Sequence, residues 1–271
     1  MYLDETSCID RSIMRYTQYL VFEAGRFCNL GHIHDRCPNK GHDRFGLLSK
    51  AHVMSDDTIV DTATKAYNEH GFRGCVVFNH YNEPLLVEDR LWRLMDRIDA
   101  AVEKPRYAIW TNGTRFPKKP ENLKRFSYVV LTDYSIPDQP ANVPRWMKFT
   151  DKLVVKKGDL DFRLIAPLKQ SSHPCLHMFS EFVFDYYGNT HLCCNDWQGL
   201  GTVGNINDEP FRVILERWQS TRESMMIEIT ESSPDVCKQC SSRWGNIQML
   251  VPDVASDANE YVRAARVKAM Q

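Results

Sequence analysis

The sequence predicts an α/β fold in which a mostly parallel sheet is covered by helices. Strand and helix patterns alternate through the first two-thirds of the 271 residues, and a cysteine-rich segment of different character follows. With 43% apolar residues the chain can bury a sizeable core. Repeated strand–helix units imply parallel strands, and in such sheets the chemistry lies at the carboxyl ends of the strands.

Each element of the α/β region is predicted from its own local pattern. Alternating or β-branched apolar runs indicate strands, and apolar residues at a spacing of three or four indicate helices. In chain order we predict a strand at 18–23 (QYLVFE), a helix at 55–71 with Ser55 as N-cap and Gly71 at its end, a strand at 74–78 (GCVVF), a helix at 87–103, and strands at 107–113 (YAIWTNG) and 128–133 (YVVLTD). DKLVVKK and FRLIAP continue the pattern more weakly, because no long helix separates them.

The character of the chain changes after Pro174. EFVFDYYGNTHLCC (181–194) predicts a β-hairpin that turns at Tyr187-Gly188-Asn189, and 208–220 and 256–269 predict helices. We therefore predict two domains, an α/β domain over residues 1–166 and a small, cysteine-bearing α+β appendage over residues 167–271.

Charge and composition narrow the classes of partner and compartment. Lys and Arg number 34 against 35 Asp and Glu, so the charge balance gives no reason to expect nucleic acid or a membrane as a partner. The sequence contains no apolar stretch of about 20 residues, and its start, MYLDETSCIDRS, lacks the features of a signal peptide. We expect a cytoplasmic protein, whose nine cysteines stay reduced and, where clustered, bind metal or do chemistry.

Four cysteines of the C-terminal segment form the strongest chemical pattern. Cys175 stands alone, Cys193 ends the predicted hairpin, and Cys237 and Cys240 form a C-x2-C pair. Four thiolates satisfy either a tetrahedral zinc ion or a cubane iron–sulfur cluster, and the spacing alone leaves both open. Cys75, inside the apolar run GCVVF, is predicted to be a buried structural thiol instead.

The sequence around these four cysteines resembles a known iron–sulfur module. CLHMFSEFVFDYYGNTHLCC, the later GNI, a helix ending in WQS and the closing CKQC are similar to the auxiliary-cluster region of radical S-adenosylmethionine enzymes, the SPASM family in its shortened twitch form. The resemblance implies an auxiliary [4Fe–4S] cluster on Cys175, Cys193, Cys237 and Cys240. Sequence alone does not choose between Cys193 and its neighbour Cys194.

The N-terminal two-thirds resembles the partial (β/α) barrel of the same superfamily. Tyr81-Asn82-Glu83-Pro84 stands where the family has a Gly-Gly-Glu-Pro turn that receives the amino group of S-adenosylmethionine, and WTNGT (110–114) matches the family's Thr-Asn-Gly. A carboxylate at a strand end can accept hydrogen bonds from an ammonium group. The resemblance implies Glu83 and Asn82 as cofactor-binding residues, with Thr132 or Asp133 near the ribose or carboxylate.

The N-terminal cluster loop departs from the family pattern C-x3-C-x2-C. Cys28-Asn29-Leu30 and Cys37-Pro38 match its parts, but five extra residues separate them and the third position falls on Lys40. A protonated lysine has no lone pair for iron. A neutral imidazole can replace the missing ligand. The candidates are His32, His34 and His42, with Cys8 as a more distant alternative; otherwise this cluster is absent.

Together these features imply a radical S-adenosylmethionine oxidoreductase of the twitch class. A second, N-terminal [4Fe–4S] cluster would cleave S-adenosylmethionine to a 5′-deoxyadenosyl radical that abstracts hydrogen, and the auxiliary cluster would accept an electron or anchor substrate. We expect a small-molecule substrate, because no leader-peptide-binding domain precedes the barrel, and a reductant such as flavodoxin or ferredoxin. Two alternatives stay open: a degenerate barrel that binds S-adenosylmethionine or a partner without radical chemistry, and a zinc-stabilised binding domain.

Overall fold

The computed structural model describes residues 14–31, 53–136, 139–157, 175, 180–196, 199–227 and 230–240. Its strands are β1 (Tyr19–Phe22), β2 (Cys75–Val77), β3 (Arg106–Thr111), β4 (Tyr128–Asp133), β5 (Leu153–Lys157), β6 (Glu181–Phe184) and β7 (Thr190–His191). Its α-helices are α1 (Asp56–Glu69), α2 (Glu88–Ala101), α3 (Gln139–Met147), α4 (Phe211–Ile227) and α5 (Asp235–Gln239). Short 3-10 helices cover Pro84–Val87 and Pro120–Arg125.

The strands form one open sheet in the order β5-β4-β3-β2-β1-β6-β7. All neighbouring strands are parallel except β6 and β7, which form an antiparallel hairpin. The α/β class and the parallel sheet are therefore confirmed. The predicted hairpin is confirmed as well, and its first strand extends the main sheet, because β6 pairs with β1 from Tyr19 opposite Glu181 to Phe22 opposite Phe184.

Most predicted elements form where their patterns placed them. The Ser55 side chain caps α1 by accepting a hydrogen bond from the backbone N of Thr58 at 3.0 Å, and Gly71 follows the helix with a positive φ of 69°. The helix predicted at 208–220 begins at Phe211 and continues to Ile227. The FRLIAP strand and the helix at 256–269 lie outside the described residues.

The sequence patterns missed two α-helices, α3 and the short α5. Helix α3 contains Pro144 in its interior, and a proline there removes a backbone donor and usually ends a helix. Trp146, which is fully buried, packs against Phe116 at 5.4 Å between ring centroids. Tertiary packing of this side chain therefore outweighs the local signal of the proline.

The sheet has two distinct faces. Alternate residues of β1, such as Leu20 and Phe22, belong to the large core under the helices. The opposite face, which we call the inner face, carries a smaller buried cluster made of Tyr19, Val21, Cys75, Val77, Ala108 and Val183. Cys75 is completely buried there, as predicted for a structural thiol. Trp110 and Tyr128 pack against the inner face and remain half-buried.

Arg90 of α2 fixes the segment that follows β1. Its guanidinium donates to the carbonyl oxygens of Ala24 at 2.6 Å and Met54 at 2.7 Å, and it pairs with the Asp56 carboxylate at 2.6 Å. The carboxyl end of β1 is thereby tied to the start of α1.

None of the helices among the described residues is both long and apolar enough to cross a bilayer.

Candidate functional site

Three segments meet at the carboxyl ends of the central strands. Cys28 and Asn29 follow β1, the turn with Glu83 follows β2, and Asn112 follows β3. Because β1, β2 and β3 are parallel neighbours, their carboxyl ends lie at the same edge of the sheet. Hydrogen bonds of Glu83 and Asn112 join the three segments directly.

The Glu83 carboxylate lies at the centre of this edge and is only 2% exposed. It accepts hydrogen bonds from the Thr111 hydroxyl at 2.8 Å, from the backbone N of Asn112 at 2.9 Å and from the backbone N of Leu85 at 3.1 Å. The backbone N of Glu83 donates to the carbonyl of Phe27 at 2.9 Å. These contacts support the turn and the start of the cysteine loop. Its direct contact with a cofactor amino group stays a prediction.

Asn112 and Thr114 connect the end of β3 to the cysteine loop. The Asn112 side-chain amide donates to Asn29 Oδ1 at 2.9 Å and lies 3.8 Å from Cys28 Sγ. The Thr114 hydroxyl donates to Asn112 Oδ1 at 2.6 Å and accepts from Asn29 Nδ2 at 2.7 Å. Gly113 between them has a φ of 69°, and a Cβ there would lie 2.8 Å from Leu131. The WTNGT motif therefore has a positioning role that its sequence match did not assign to individual residues.

The remaining predicted cofactor residues lie in the turn after β2 and at the end of β4. Asn82 is 6% exposed, and its Oδ1 accepts from the backbone N of His80 at 3.0 Å. Thr132 and Asp133 end β4, and the alternation of side chains places Thr132 on the inner face. Asp133 lies on the other face, where its Oδ1 accepts from the backbone N of Ser135 at 2.8 Å.

The pKa of Glu83 gives a testable pH dependence. Burial raises it from the ordinary 4.5 to about 7, although the three hydrogen bonds lower it in part. The contribution of Glu83 to the free energy of unfolding is fully present below about pH 4.5 and is lost as the pH rises through about 7. The loss is on the order of 3 kcal/mol. We expect the free energy of unfolding of the wild type, relative to Glu83→Gln, to fall between about pH 5 and 7.5. Urea denaturation of both proteins measures it, and a rise instead of a fall would contradict the assignment.

The rest of the N-terminal cluster loop lies outside the described residues. This applies to Cys37 and to the replacement ligands His32, His34, His42 and Cys8, as well as to Lys40. Of the predicted loop ligands, the structure therefore places Cys28. The complete ligand set stays a prediction.

Cys193 interacts electrostatically with three other cysteines of the C-terminal segment. Its thiol is buried, and burial raises its pKa well above the usual range of a cysteine. The neighbouring groups that raise it further are, in decreasing order, Cys194, Glu181, Cys175 and Cys237. Thiols that are buried together resist ionisation until a metal supplies positive charge, so this donor set fits a metal–thiolate site.

Cys194 and Cys240 are both less buried than Cys193. Cys194 is half-buried, and its backbone N donates to the Glu181 carboxylate at 2.7 Å. Cys240 directly follows α5, and its backbone N donates to the carbonyl of Cys237 at 3.4 Å. Cys193 is thus the more enclosed of the two adjacent cysteines. Within the described ranges, no group of three or more His, Cys, Asp and Glu side chains is arranged to hold a single metal ion.

A buried charge network supports the cysteine turn. His191 of β7 is fully buried between two acceptors, the Asp185 carboxylate at 3.1 Å from Nε2 and the Asp196 carbonyl at 2.6 Å from Nδ1. Burial lowers the pKa of His191, but Asp185 and Asp196 raise it, and the net direction is upward. The backbone N of Asp196 donates to the carbonyl of Cys193 at 3.0 Å. The sequence analysis missed this network, because no local pattern links its members.

Comparison with known proteins gives one family-domain match and two close structural similarities. Residues 175–241 match the model of SPASM, an iron–sulfur cluster-binding domain, and this range includes the four cysteines predicted as ligands of the auxiliary cluster. BtrN in complex with AdoMet and 2-DOIA has a TM-score of 0.60 at 18% identity, over 77% of this chain and 87% of BtrN. The chain therefore shares the fold of BtrN, and its residues 175–241 match the SPASM domain.

A second structure of BtrN supports the same similarity of fold. This open conformation of SeMet BtrN has a TM-score of 0.57 at 20% identity, over 83% of this chain and 92% of that one. A sequence search of curated proteins gives no match. The predicted fold and the predicted SPASM-type C-terminal region are thus confirmed.

Proposed function

We propose that the protein is an iron–sulfur enzyme that uses S-adenosylmethionine to abstract hydrogen from a small molecule and oxidise it. The observation that carries this proposal is the SPASM match, within which the buried Cys193 lies beside Cys175 and Cys237. Further support comes from the radical S-adenosylmethionine fold and from the Cys28 loop that Asn112 and Glu83 fasten at the carboxyl edge of the sheet.

The chain offers two sets of ligands. Cys175, Cys193, Cys237 and Cys240 would hold the auxiliary cluster, and Cys28, Cys37 and one imidazole from His32, His34 or His42 would hold the N-terminal one. When bound, the clusters and S-adenosylmethionine would supply the one-electron chemistry that produces the substrate radical. BtrN itself has been crystallised with AdoMet.

The protein's own residues hold the turn after β2 and the Cys28 loop in place and line the inner face of the sheet. Glu83 keeps the turn after β2 against the end of β3, and Asn112 keeps Asn29 beside that turn. On the inner face, Trp110 packs edge-to-face on Tyr19 at 5.0 Å, and its backbone N donates to Asn79 Oδ1 at 3.2 Å. We propose that the substrate binds above this half-buried indole, near Thr132 at the carboxyl end of β4.

We further propose that the substrate is a small molecule and that electrons come from a flavodoxin or a ferredoxin. A second candidate function rests on Lys40, which occupies the third ligand position of the loop motif. In that case the barrel binds S-adenosylmethionine or a partner without radical chemistry. A zinc-stabilised binding domain would contain no iron at all.

Metal analysis after anaerobic purification and reconstitution distinguishes these proposals. We expect a brown protein with about eight iron atoms and a similar amount of sulfide per chain, because two [4Fe–4S] clusters hold that number. With a chemical reductant and S-adenosylmethionine it should release methionine and 5′-deoxyadenosine. About four iron atoms without cleavage would favour the binding function, and colourless protein with stoichiometric zinc would refute the enzyme.

A further inference from the structure

The turn after β2 makes contacts with both candidate sites. Glu83, at the end of this turn, bonds the end of β3 beside the Cys28 loop. Tyr81, two residues earlier, donates a hydrogen bond from its hydroxyl to the backbone carbonyl of Cys194. In the Gly-Gly-Glu-Pro pattern that this turn resembles, the position of Tyr81 is a glycine, which has no side chain to reach the cysteines.

The Tyr81 side chain is firmly held. It is 7% exposed, and its ring packs against the His80 ring at 3.8 Å between centroids, with the two planes tilted by 34°. The His80 ring in turn lies 5.6 Å from the ring of His191, the buried member of the cysteine-turn network. Tyr81 therefore has little freedom to leave the Cys194 carbonyl.

Glu23 fastens the same turn to the C-terminal hairpin. This carboxylate is fully buried at the carboxyl end of β1. One oxygen accepts from the backbone N of Tyr81 at 3.1 Å, and the other accepts from the backbone N of Tyr186 at 3.2 Å. The backbone N of Glu23 also donates to the carbonyl of Phe184 at 2.9 Å. The Glu23 carboxylate thus binds the backbone of the turn and the backbone of the hairpin at once. With the turn held in this way, the Tyr81 hydroxyl reaches the Cys194 carbonyl.

We propose that Tyr81 is a positioning residue that bridges the two sites and holds the Cys193–Cys194 turn in place for the auxiliary cluster. The inference rests on the proposed function. Its physical basis is that the hydroxyl hydrogen, the positive end of the O–H dipole, points at the backbone beside a predicted ligand. Hydrogen bonds around cluster ligands orient them and shift the reduction potential, and a nearby positive charge favours the reduced form.

The test compares Tyr81→Phe with its parent in the full-length, anaerobically reconstituted protein. Both carry Cys28→Ala, so that the auxiliary cluster alone is measured. Phenylalanine keeps the ring on His80 and removes the hydroxyl. We expect the variant to retain the iron of the parent and to show a lower midpoint potential and an altered electron paramagnetic resonance spectrum in a redox titration.

Tyr67→Phe is the matched control. The Tyr67 hydroxyl also donates to a backbone carbonyl, that of Gly74 at 2.8 Å, near the amino end of β2. A general loss of stability would affect both variants, whereas a positioning role affects Tyr81→Phe alone. Loss of iron from Tyr81→Phe, with iron retained in Tyr67→Phe, would support the proposal too.

Two results would overturn the inference, and they are distinguishable. If the parent binds iron and Tyr81→Phe has the same iron content, midpoint potential and spectrum, Tyr81 does not position the turn, and the proposed function is unaffected. If the parent binds no iron, the auxiliary cluster is absent and the proposed function fails together with the inference.

Discussion

Replacing Cys193 with alanine is expected to remove about four iron atoms per chain, because Cys193 is one of the four thiolates that would hold the auxiliary [4Fe–4S] cluster. Cys193 is buried and interacts electrostatically with Cys175 and Cys237, two of the other predicted ligands. We also expect lower solubility, since ligand binding and folding are coupled in small metal modules. Iron and sulfide analysis, with the visible spectrum, measures the effect.

Cys75→Ala is a matched control for this experiment. Cys75 is as deeply buried as any thiol of the chain that the structure describes, but it lies on the inner face among apolar side chains. Its replacement should cost about 1 to 2 kcal/mol of stability and no iron. Cys194→Ala, in parallel, decides which of the adjacent cysteines is the ligand. Wild-type iron in both Cys193→Ala and Cys194→Ala would show that this turn holds no cluster.

Replacing Cys28 with alanine is expected to remove the other four or so iron atoms and to abolish cleavage of S-adenosylmethionine. The Cys28 thiol lies 3.8 Å from the Asn112 amide, on the edge of the sheet that Glu83 supports. Iron content and release of 5′-deoxyadenosine are the two measurements, again with Cys75→Ala as control. If Cys28→Ala keeps the full iron content of the wild type, the loop holds no cluster and the radical mechanism fails.

Single alanine variants of His32, His34 and His42 extend this test to the missing third ligand. The variant that loses about four iron atoms identifies the imidazole ligand. An imidazole binds metal only when neutral, so occupancy of this cluster should fall as the pH drops through about 6.5. The auxiliary cluster, with thiolate ligands alone, should be less sensitive there.

Local sequence patterns predicted most of the fold because each element carries its own signal. The Ser55 cap and the Gly71 stop bound α1, and the alternation in YVVLTD gave β4 its two faces. The hairpin over 181–194 followed from its glycine turn, and Gly188 has the positive φ of 83° that such a turn requires. The C-terminal cysteines were found in the same way, from spacing and flanking motif.

Contacts between distant segments could not be predicted in this way. The bond from Tyr81 to the Cys194 carbonyl joins residues 113 positions apart, and no local pattern encodes it. The burial of Glu83 and its hydrogen bond from Thr111 depend on β2 and β3 being neighbours in the sheet, which no local pattern shows. For the same reason the pairing of His191 with Asp185 and Asp196 was visible only after folding.

The position of β1 has a consequence for the order of folding. Strand β1 pairs with β2 on one side and with β6 on the other. The side that faces β6 therefore stays unpaired until residues 181–184 have left the ribosome. Pairings of such long sequence separation form slowly, because loop closure costs entropy before the contact repays it. The Cys193 turn, which follows β6 and β7 in the chain, reaches its final surroundings only at that late step. Assembly of an iron–sulfur cluster there would therefore come after closure of the sheet, and synthesis in iron-poor cells should leave the parallel sheet formed and the cysteine turn empty.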